Sequence, residues 1–201
     1  MAIKHLTYSD FPLTTATANT TYVLDQDGAY NTNGIMIDLA ATQGLKFQLN
    51  GSLYAKGHLL EYGTMGQSAP SIEISVGQSA YLQSGYNGFV VTGDGSTFRN
   101  AGTVVATGYG FEMHGNGMRV VNSGTIIAGD NYGVQLDGGD LRLANSGLIK
   151  GTVDMYSDAG TRSILVNSGQ LESASWAVVA GAGDDTLVNR GHIRSNIQTG
   201  A

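Results

Sequence analysis

One short motif recurs five times in the second half of this chain at an almost constant spacing. Each copy reads apolar, any residue, Asn, small or polar, Gly, any residue, apolar. The asparagines are separated by 22, 23, 22 and 22 residues, and they are Asn100, Asn122, Asn145, Asn167 and Asn189. A fixed period of this length is the sequence signature of stacked structural units. The chain must therefore fold as an array of repeated units.

Each period contains short apolar stretches, such as residues 89–91, 97–99 and 102–105, separated by Gly, Asp, Asn and Ser. These separators are turn residues, and no window shows the spacing of an amphipathic helix. Strands this short cannot bury a face alone, so successive periods must stack. We predict an all-β fold, a right-handed parallel β-helix (solenoid) with about 22 residues per rung.

The motif continues upstream in degraded form. Residues 76–82 resemble it with Gln78 in place of Asn, and residues 47–53 resemble it again. These copies predict roughly seven rungs in total. Residues 1–34 are Thr-rich and outside the register, so we interpret them as an N-terminal cap or assembly segment that covers open strand edges. Residues 35–201 then form the parallel β-helix.

The asparagine column has a physical interpretation. Stacked identical amides can hydrogen-bond along the axis, and Asn tolerates a left-handed turn. The Gly two residues later is expected to supply a positive φ at the re-entry into the next strand. We predict a structural amide ladder; an exposed turn without a ladder is the alternative.

A second column keeps the same period, with one extra residue placed within 128–131. Its apolar members are Phe89, Phe111, Val134, Tyr156 and Val178. Two residues before each of these lie Asn87, Tyr109, Tyr132, Asp154 and Trp176. The aromatic members Tyr109, Tyr132 and Trp176 are the ligand-binding candidates, because aromatic rings stack on sugars; stacking on one another is the alternative.

Charge and composition exclude several classes of function. The chain has 10 Lys+Arg against 16 Asp+Glu and a net charge of −6, which gives no support to nucleic-acid binding. It has no cysteine, which removes disulfides and thiolate chemistry and suits an oxidising compartment. No run approaches 18 apolar residues, so we predict no membrane span. The first residues lack the apolar stretch of a signal peptide.

Two further groups of residues carry candidate chemistry. His114 and Asp137 are 23 residues apart in one column, and an imidazole beside a carboxylate suits acid/base catalysis. Solvated turn residues are the alternative, and we predict no enzyme. Arg119 and Arg142 stack in the same way, which suits either an acidic glycan or a solvated strand face.

Residues 180–188 match the calcium-binding nonapeptide G-G-x-G-x-D-x-U-x except at its first position. Asp184 and Asp185 are therefore the metal candidates, and Ca²⁺ is the only cofactor that the sequence suggests. No second copy follows to complete a cage of six to eight oxygens. An acidic turn between two strands is the alternative.

The tandem N-S-G-x-I units resemble the β-solenoid passenger domains of bacterial adhesins and autotransporters, over about residues 76–193. The Gly-Ala-Gly-Asp-Asp-Thr-Leu segment resembles hemolysin-type (RTX) secreted proteins over nine residues, without their calcium-repeat array. These resemblances imply export from a Gram-negative bacterium and a role at the cell surface or in the extracellular matrix.

The leading functional expectation is a non-enzymatic structural or adhesive solenoid, extracellular or displayed at the cell surface. Residues 194–201 begin another rung and then stop, so we expect either that the chain is a fragment of a longer array or that it self-associates end to end into fibres. One alternative is a polysaccharide-binding or polysaccharide-cleaving β-helix that uses His114 and Asp137. A phage-type trimeric fibre segment is a further alternative.

Overall fold

The computed structural model describes residues 1–64 and 67–199, with the side chains of residues 130 and 131 left out. The chain is nearly all β, and its parallel strands form a solenoid of about nine turns with about 22 residues per turn. The predicted all-β parallel solenoid is therefore confirmed. One turn of 3-10 helix, Tyr8–Asp10, interrupts the first rung.

The strands are, in chain order, β1 Ala2–His5, β2 Thr20–Leu24, β3 Ala29–Thr32, β4 Ile37–Leu39, β5 Leu45–Leu49, β6 Ser52–Ala55, β7 Leu60–Tyr62, β8 Ile72–Val76, β9 Tyr81–Ser84, β10 Phe89–Thr92, β11 Thr97–Asn100, β12 Thr103–Ala106, β13 Phe111–His114, β14 Arg119–Asn122, β15 Thr125–Gly138, β16 Arg142–Asn145, β17 Leu148–Ser157, β18 Ile164–Asn167, β19 Gln170–Ala180, β20 Thr186–Asn189 and β21 His192–Gln198.

The strands cover three faces of the solenoid. The first face is a sheet in the order β1-β2-β5-β8-β11-β14-β16-β18-β20. The second face contains β3, β6, β9 and β12, and the third contains β4, β7, β10 and β13. From β15 onward one long strand runs over both of these faces and bends at the corner between them. We call this bend the second corner.

Alternation along each strand places every other side chain in the core. Strands such as β8 and β13 show buried residues at alternate positions. Inside, Phe89 stacks on Phe111 with ring centroids 4.9 Å apart, and Phe98 packs against both rings. Because each inward residue contacts its counterparts in neighbouring rungs, the core is one continuous apolar column.

The prediction of roughly seven rungs is wrong, because the chain has about nine. Within residues 1–34, β2 pairs in parallel with β5, and β3 pairs with β6. The motif is absent there, but the strands still present inward apolar residues such as Tyr22 and Leu24. A cap or assembly role for residues 1–34 stays a prediction.

Two register predictions also need correction. The strand partner of Asn100 is Val76 and not Gln78, because the turn after β8 is two residues longer than the turn after β11. The partner of Val134 is Val153 and not Tyr156, and Val153 in turn pairs with Val178.

The wrong partner predicted for Val134 has a cause that the nearly constant asparagine spacing does not reveal. The second corner spans residues 128–133 in the sixth rung, only 151–152 in the seventh and 173–177 in the eighth. A longer turn after β17 compensates for the short corner, so the asparagine spacing stays at 22. The predicted one-residue insertion falls between Ala128 and Val134. At two of its predicted positions, 130 and 131, the side chains lie outside the described residues.

The five asparagines of the motif form a hydrogen-bonded column at the end of the first face. The Nδ2 of each residue donates to the Oδ1 of the next, at 2.7–2.8 Å, in the order Asn100, Asn122, Asn145, Asn167, Asn189. Each Nδ2 also lies 3.2–3.4 Å from the carbonyl oxygen of the glycine two residues later. Because the first four asparagines are buried, these bonds are shielded from water.

The ladder has a defined beginning. Asn100 Oδ1 is buried without a hydrogen-bond partner, since the preceding rung offers the apolar Val76 at this position. A buried acceptor without a partner costs about 1–3 kcal/mol.

The glycine of the motif is required for a different reason from the one predicted. None of the motif glycines has a positive φ. Instead, a Cβ on Gly124 would overlap the carbonyl oxygen of Gly102, and a Cβ on Gly147 would overlap that of Gly124. The backbone of one rung therefore lies directly against the next at this turn, and only glycine leaves room for the contact.

We expect Asn122→Ala to lower the free energy of unfolding by about 3 kcal/mol, because it leaves Asn145 Oδ1 buried without a partner and removes the shortest hydrogen bond of Asn100 Nδ2. Asn189→Ala is the matched control. Asn189 is exposed, so its replacement should cost less than about 1 kcal/mol. Urea denaturation followed by circular dichroism measures both. Equal losses of unfolding free energy in the two variants would show that burial does not increase the contribution of the ladder to stability.

We expect Gly147→Ala to destabilise the fold by about 2–3 kcal/mol, since the added methyl group must displace the backbone of the preceding rung. At Gly34 a Cβ would meet nothing within 4 Å. Gly34→Ala should therefore change stability by less than about 0.5 kcal/mol. Thermal unfolding of the pair tests this prediction, and a neutral Gly147→Ala variant would contradict it.

Candidate functional site

The outward side of the third face brings the two catalytic candidates together. His114 ends β13, and its strand partner on β15 is Asp137. His114 Nδ1 lies 3.3 Å from Asp137 Oδ2, and His114 Nε2 lies 3.2 Å from Glu112 Oε1. Glu112 and His114 are two residues apart on one strand, so they point to the same side. The imidazole is thus held between two carboxylates.

Glu112 connects this group to the second corner. Asn87 Nδ2 donates to Glu112 Oε2 at 2.8 Å, and Asn87 Oδ1 accepts a hydrogen bond from the backbone N–H of Tyr109. Asn87 is buried, and only 12% of the Glu112 side chain is exposed. The network therefore fixes the Glu112 carboxylate in place from both sides.

A third carboxyl group lies two rungs further along the same column. The register runs from Glu112 to Gln135 to Asp154. Gln135 Nε2 lies 3.5 Å from Asp154 Oδ2, while Asp154 Oδ1 is buried without a partner. Asp154 is only 5% exposed although its strand position points away from the core.

These contacts shift two pKa values upward. The hydrogen bond to Glu112 is the main cause that raises the pKa of His114; burial opposes it, and Asp137 adds to it. Burial raises the pKa of Asp154 to about 6, with a smaller contribution from the negative charge of Asp137 and an opposing one from the Gln135 amide. Asp154 therefore changes its charge near pH 6, well above the usual range of an aspartate.

Aromatic rings line the second corner beside these carboxyls. Tyr109 and Tyr132 lie in successive rungs, with centroids 5.2 Å apart and an interplanar angle of 76°. In the rungs before them, His58 and Tyr86 form a similar pair at 5.0 Å. Burial raises the pKa of Tyr109, and the nearby charges of Glu112 and Asp154 add to the shift.

Trp176 does not continue this row. It lies in the long corner of the eighth rung, 40% exposed, with Asn196 as its strand partner. The intervening seventh rung has only the two-residue corner, where Thr152 is the partner of Tyr132. Of the three aromatic candidates, the structure thus brings Tyr109 and Tyr132 together and leaves Trp176 apart.

One concave surface adjoins the cluster, and a second lies further along the second corner, lined by none of the cluster residues. A cleft of about 280 Å³ lies beside His114, between residues 67–69 and residues 92–94. A recess of about 370 Å³ lies where the seventh rung has its short corner, and Thr152 forms part of its wall. The recess arises because the corners of the flanking rungs are longer and protrude on either side.

The calcium candidates lie near the last rungs. Asp185 accepts hydrogen bonds from Ser157 Oγ with both carboxylate oxygens, at 2.9 and 2.8 Å, and Asp184 is exposed. Within residues 1–64 and 67–199, no three His, Asp or Glu side chains are grouped so as to hold a metal ion. Calcium binding by Asp184 and Asp185 stays a prediction.

Arg119 and Arg142 are strand partners on the outside of the first face, as their spacing predicts. They border a shallow groove of about 180 Å³ whose floor includes Val121, Ala144 and Val166. The groove lies on a different face from the His114 cluster. Binding of an acidic glycan there stays a prediction.

Sequence reasoning identified His114 and Asp137 but not Glu112, Gln135 or Asp154 as their companions. The alternation in residues 111–114 was the available signal, since it places Glu112 on the side of His114. Asp154 carried no such signal. The column placed it level with Tyr132, whereas its true strand partner is Gln135.

Comparison with protein-family models, with curated proteins and with solved structures gives no match for this chain. In the part of the chain that the structure describes, no helix has the length and apolar character needed to cross a membrane. Any function must therefore be inferred from the geometry of the solenoid itself.

The raised pKa values of Asp154 and His114 predict a pH-dependent stability. Because both pKa values exceed their ordinary ones, the folded chain binds protons more tightly than the unfolded chain. The free energy of unfolding should fall as pH rises from about 4 to 8, and Asp154 contributes at most about 3 kcal/mol to this fall. Urea denaturation at pH 5 and pH 8 measures the difference.

Asp154→Asn should remove much of this dependence. Asp38→Asn, at an exposed position of the same column, is the control and should leave it intact. An unchanged pH dependence in Asp154→Asn would show that Asp154 titrates normally in the folded protein.

Proposed function

We propose that this chain is a non-enzymatic structural or adhesive β-solenoid of a bacterial surface or extracellular matrix. The observation that carries the proposal is the amide ladder, which runs unbroken through five rungs at 2.7–2.8 Å. The ladder, the motif glycines and the aromatic core all serve stacking. Most of the distinctive residues therefore build a rigid rod.

The surface and matrix setting is supported by composition and resemblance. A chain without cysteine tolerates an oxidising environment. The N-S-G-x-I units resemble adhesin passenger domains, which supports an adhesive role at the cell surface. A rod with three flat faces suits such a role because many side chains of one face are accessible at once.

Self-association end to end is part of the proposal. Parallel rungs of one shape can pair across molecules through the same backbone hydrogen bonds that join them within a molecule. Leu187 belongs to the inward column of the ninth rung, after Leu143 and Leu165, whereas Val188 points outward from the same strand. These two positions allow a direct test.

We expect electron microscopy of the purified chain to show filaments whose number increases with concentration. Leu187→Lys should abolish them, because a charge in the shared core column opposes stacking. Val188→Lys is the matched control and should preserve them. Monodisperse single rods at every concentration would contradict self-stacking, and a stable trimer in sedimentation would favour the fibre-type alternative.

A second candidate is a polysaccharide-binding or polysaccharide-cleaving β-helix. The observation that favours it is the imidazole of His114 held between Glu112 and Asp137 beside an open cleft. Such a group suits proton transfer. Assays on acidic polysaccharides test cleavage: loss of turnover in both His114→Ala and Asp137→Ala would establish it, and no turnover by the unaltered protein would reject it.

A further inference from the structure

The carboxyl groups on the outward side of the third face, beside the second corner, have more hydrogen-bond acceptors than the protein supplies donors. Glu112, Asp137 and Asp154 present six oxygens between them. The donors that reach these oxygens are the two ring nitrogens of His114 and the side-chain amides of Asn87 and Gln135. The clearest sign of the shortage is Asp154, whose side chain is buried and whose Oδ1 has no partner.

The same group has an excess of negative charge. His114 is the basic side chain within it; its raised pKa favours the protonated ring, which is shared between Glu112 and Asp137. Of the basic residues at the adjoining recess, Arg194 pairs with Glu172 at 3.0 Å, and Lys150 lies on the second-face side of the corner. Asp154 lies in the same outward column as Glu112. It has no cationic partner among the described ion pairs.

Aromatic rings complete the surroundings. Tyr109 lies close enough to Glu112 and Asp154 for their charges to raise its pKa, and its ring contacts Tyr132. A tyrosine face attracts a cation electrostatically and also packs against the apolar face of a sugar ring. Carboxylates beside tyrosine rings thus favour a ligand that combines an ammonium group with an extended apolar surface.

We infer that the second corner and the adjoining outward side of the third face, at Tyr109, Tyr132, Glu112, Asp137 and Asp154, bind a glycan whose sugars carry free amino groups. An ammonium group has three donors and no acceptor, which matches a site with surplus acceptors. A neutral sugar brings more acceptors than donors, and an anionic sugar is repelled. The inference rests on the proposed adhesive function and names its ligand.

The proposed ligand is a polymer because the tyrosine rings recur along the solenoid axis. Tyr109 and Tyr132 lie in adjacent rungs, which are about 4.8 Å apart, so an extended chain lying along the corner meets several rungs at once. The recess at the short corner of the seventh rung continues the same line beyond Tyr132. A lysine-rich peptide shares the ammonium group but has no ring surface to pack on the tyrosines.

Titration calorimetry with two matched oligomers tests the inference at neutral pH and low salt. We expect a glucosamine oligomer to bind and the fully N-acetylated oligomer of equal length to bind at least tenfold more weakly. Glu112→Gln and Asp154→Asn should each weaken the first interaction about tenfold or more. Glu73→Gln, which removes a charge from the first face, is the control and should leave the affinity unchanged.

Three outcomes would overturn the inference. Equal affinity for both oligomers would indicate recognition of neutral sugars, and no binding of either would exclude the site. Binding of polylysine or spermidine without the glucosamine oligomer would indicate an ammonium site that is not for glycans. Circular dichroism checks the fold of each variant, and Glu112→Gln provides the test if Asp154→Asn does not fold.

Failure of this inference is distinguishable from failure of the proposed function. Filament formation depends on the inward column at Leu187, which lies away from the second corner. Filaments without glucosamine binding would leave the structural role intact and reject the ligand alone.

Discussion

Hydrogen bonding between successive rungs is the constraint on which the rest of this molecule depends. Strands of three to five residues have too little surface to fold independently, so each rung requires its neighbours. The asparagine ladder adds four side-chain hydrogen bonds to the backbone pairing, one at each junction between five successive rungs. At the same turn the glycine lets the rungs approach closely. The core, the faces and the corner cluster all take their positions from this stacking.

The fold could be predicted from the sequence because stacking forces identical residues into identical positions. Asn122 and Asn145 reveal the period directly, since an amide at any other place would lose its partner. The outer rungs could not be predicted in the same way. Strands β2 and β3 pair with their neighbours through backbone hydrogen bonds. This pairing requires no particular side chain, except an apolar residue at the inward positions. The number of rungs was therefore underestimated.

The candidate site was only partly predictable for a related reason. His114 and Asp137 share a column in a stretch where the period is undisturbed, and their contact followed from counting. Asp154 comes after a corner that is four residues shorter than that of the preceding rung and before a turn that is three residues longer. Two compensating length changes within one rung leave the overall period intact. Counting between asparagines cannot detect them, so the partner of Asp154 emerged only from the strand register.

The asparagine ladder also gives the rod a direction. In each step the Nδ2 of one rung donates to the Oδ1 of the following rung, so the amide groups point the same way along the axis. Aligned amide dipoles add, as they do in a helix. The solenoid therefore has an electrostatic polarity from its first ladder rung to its last. Two rods that associate head to tail extend this polarity, whereas rods that meet head to head set one dipole against the other.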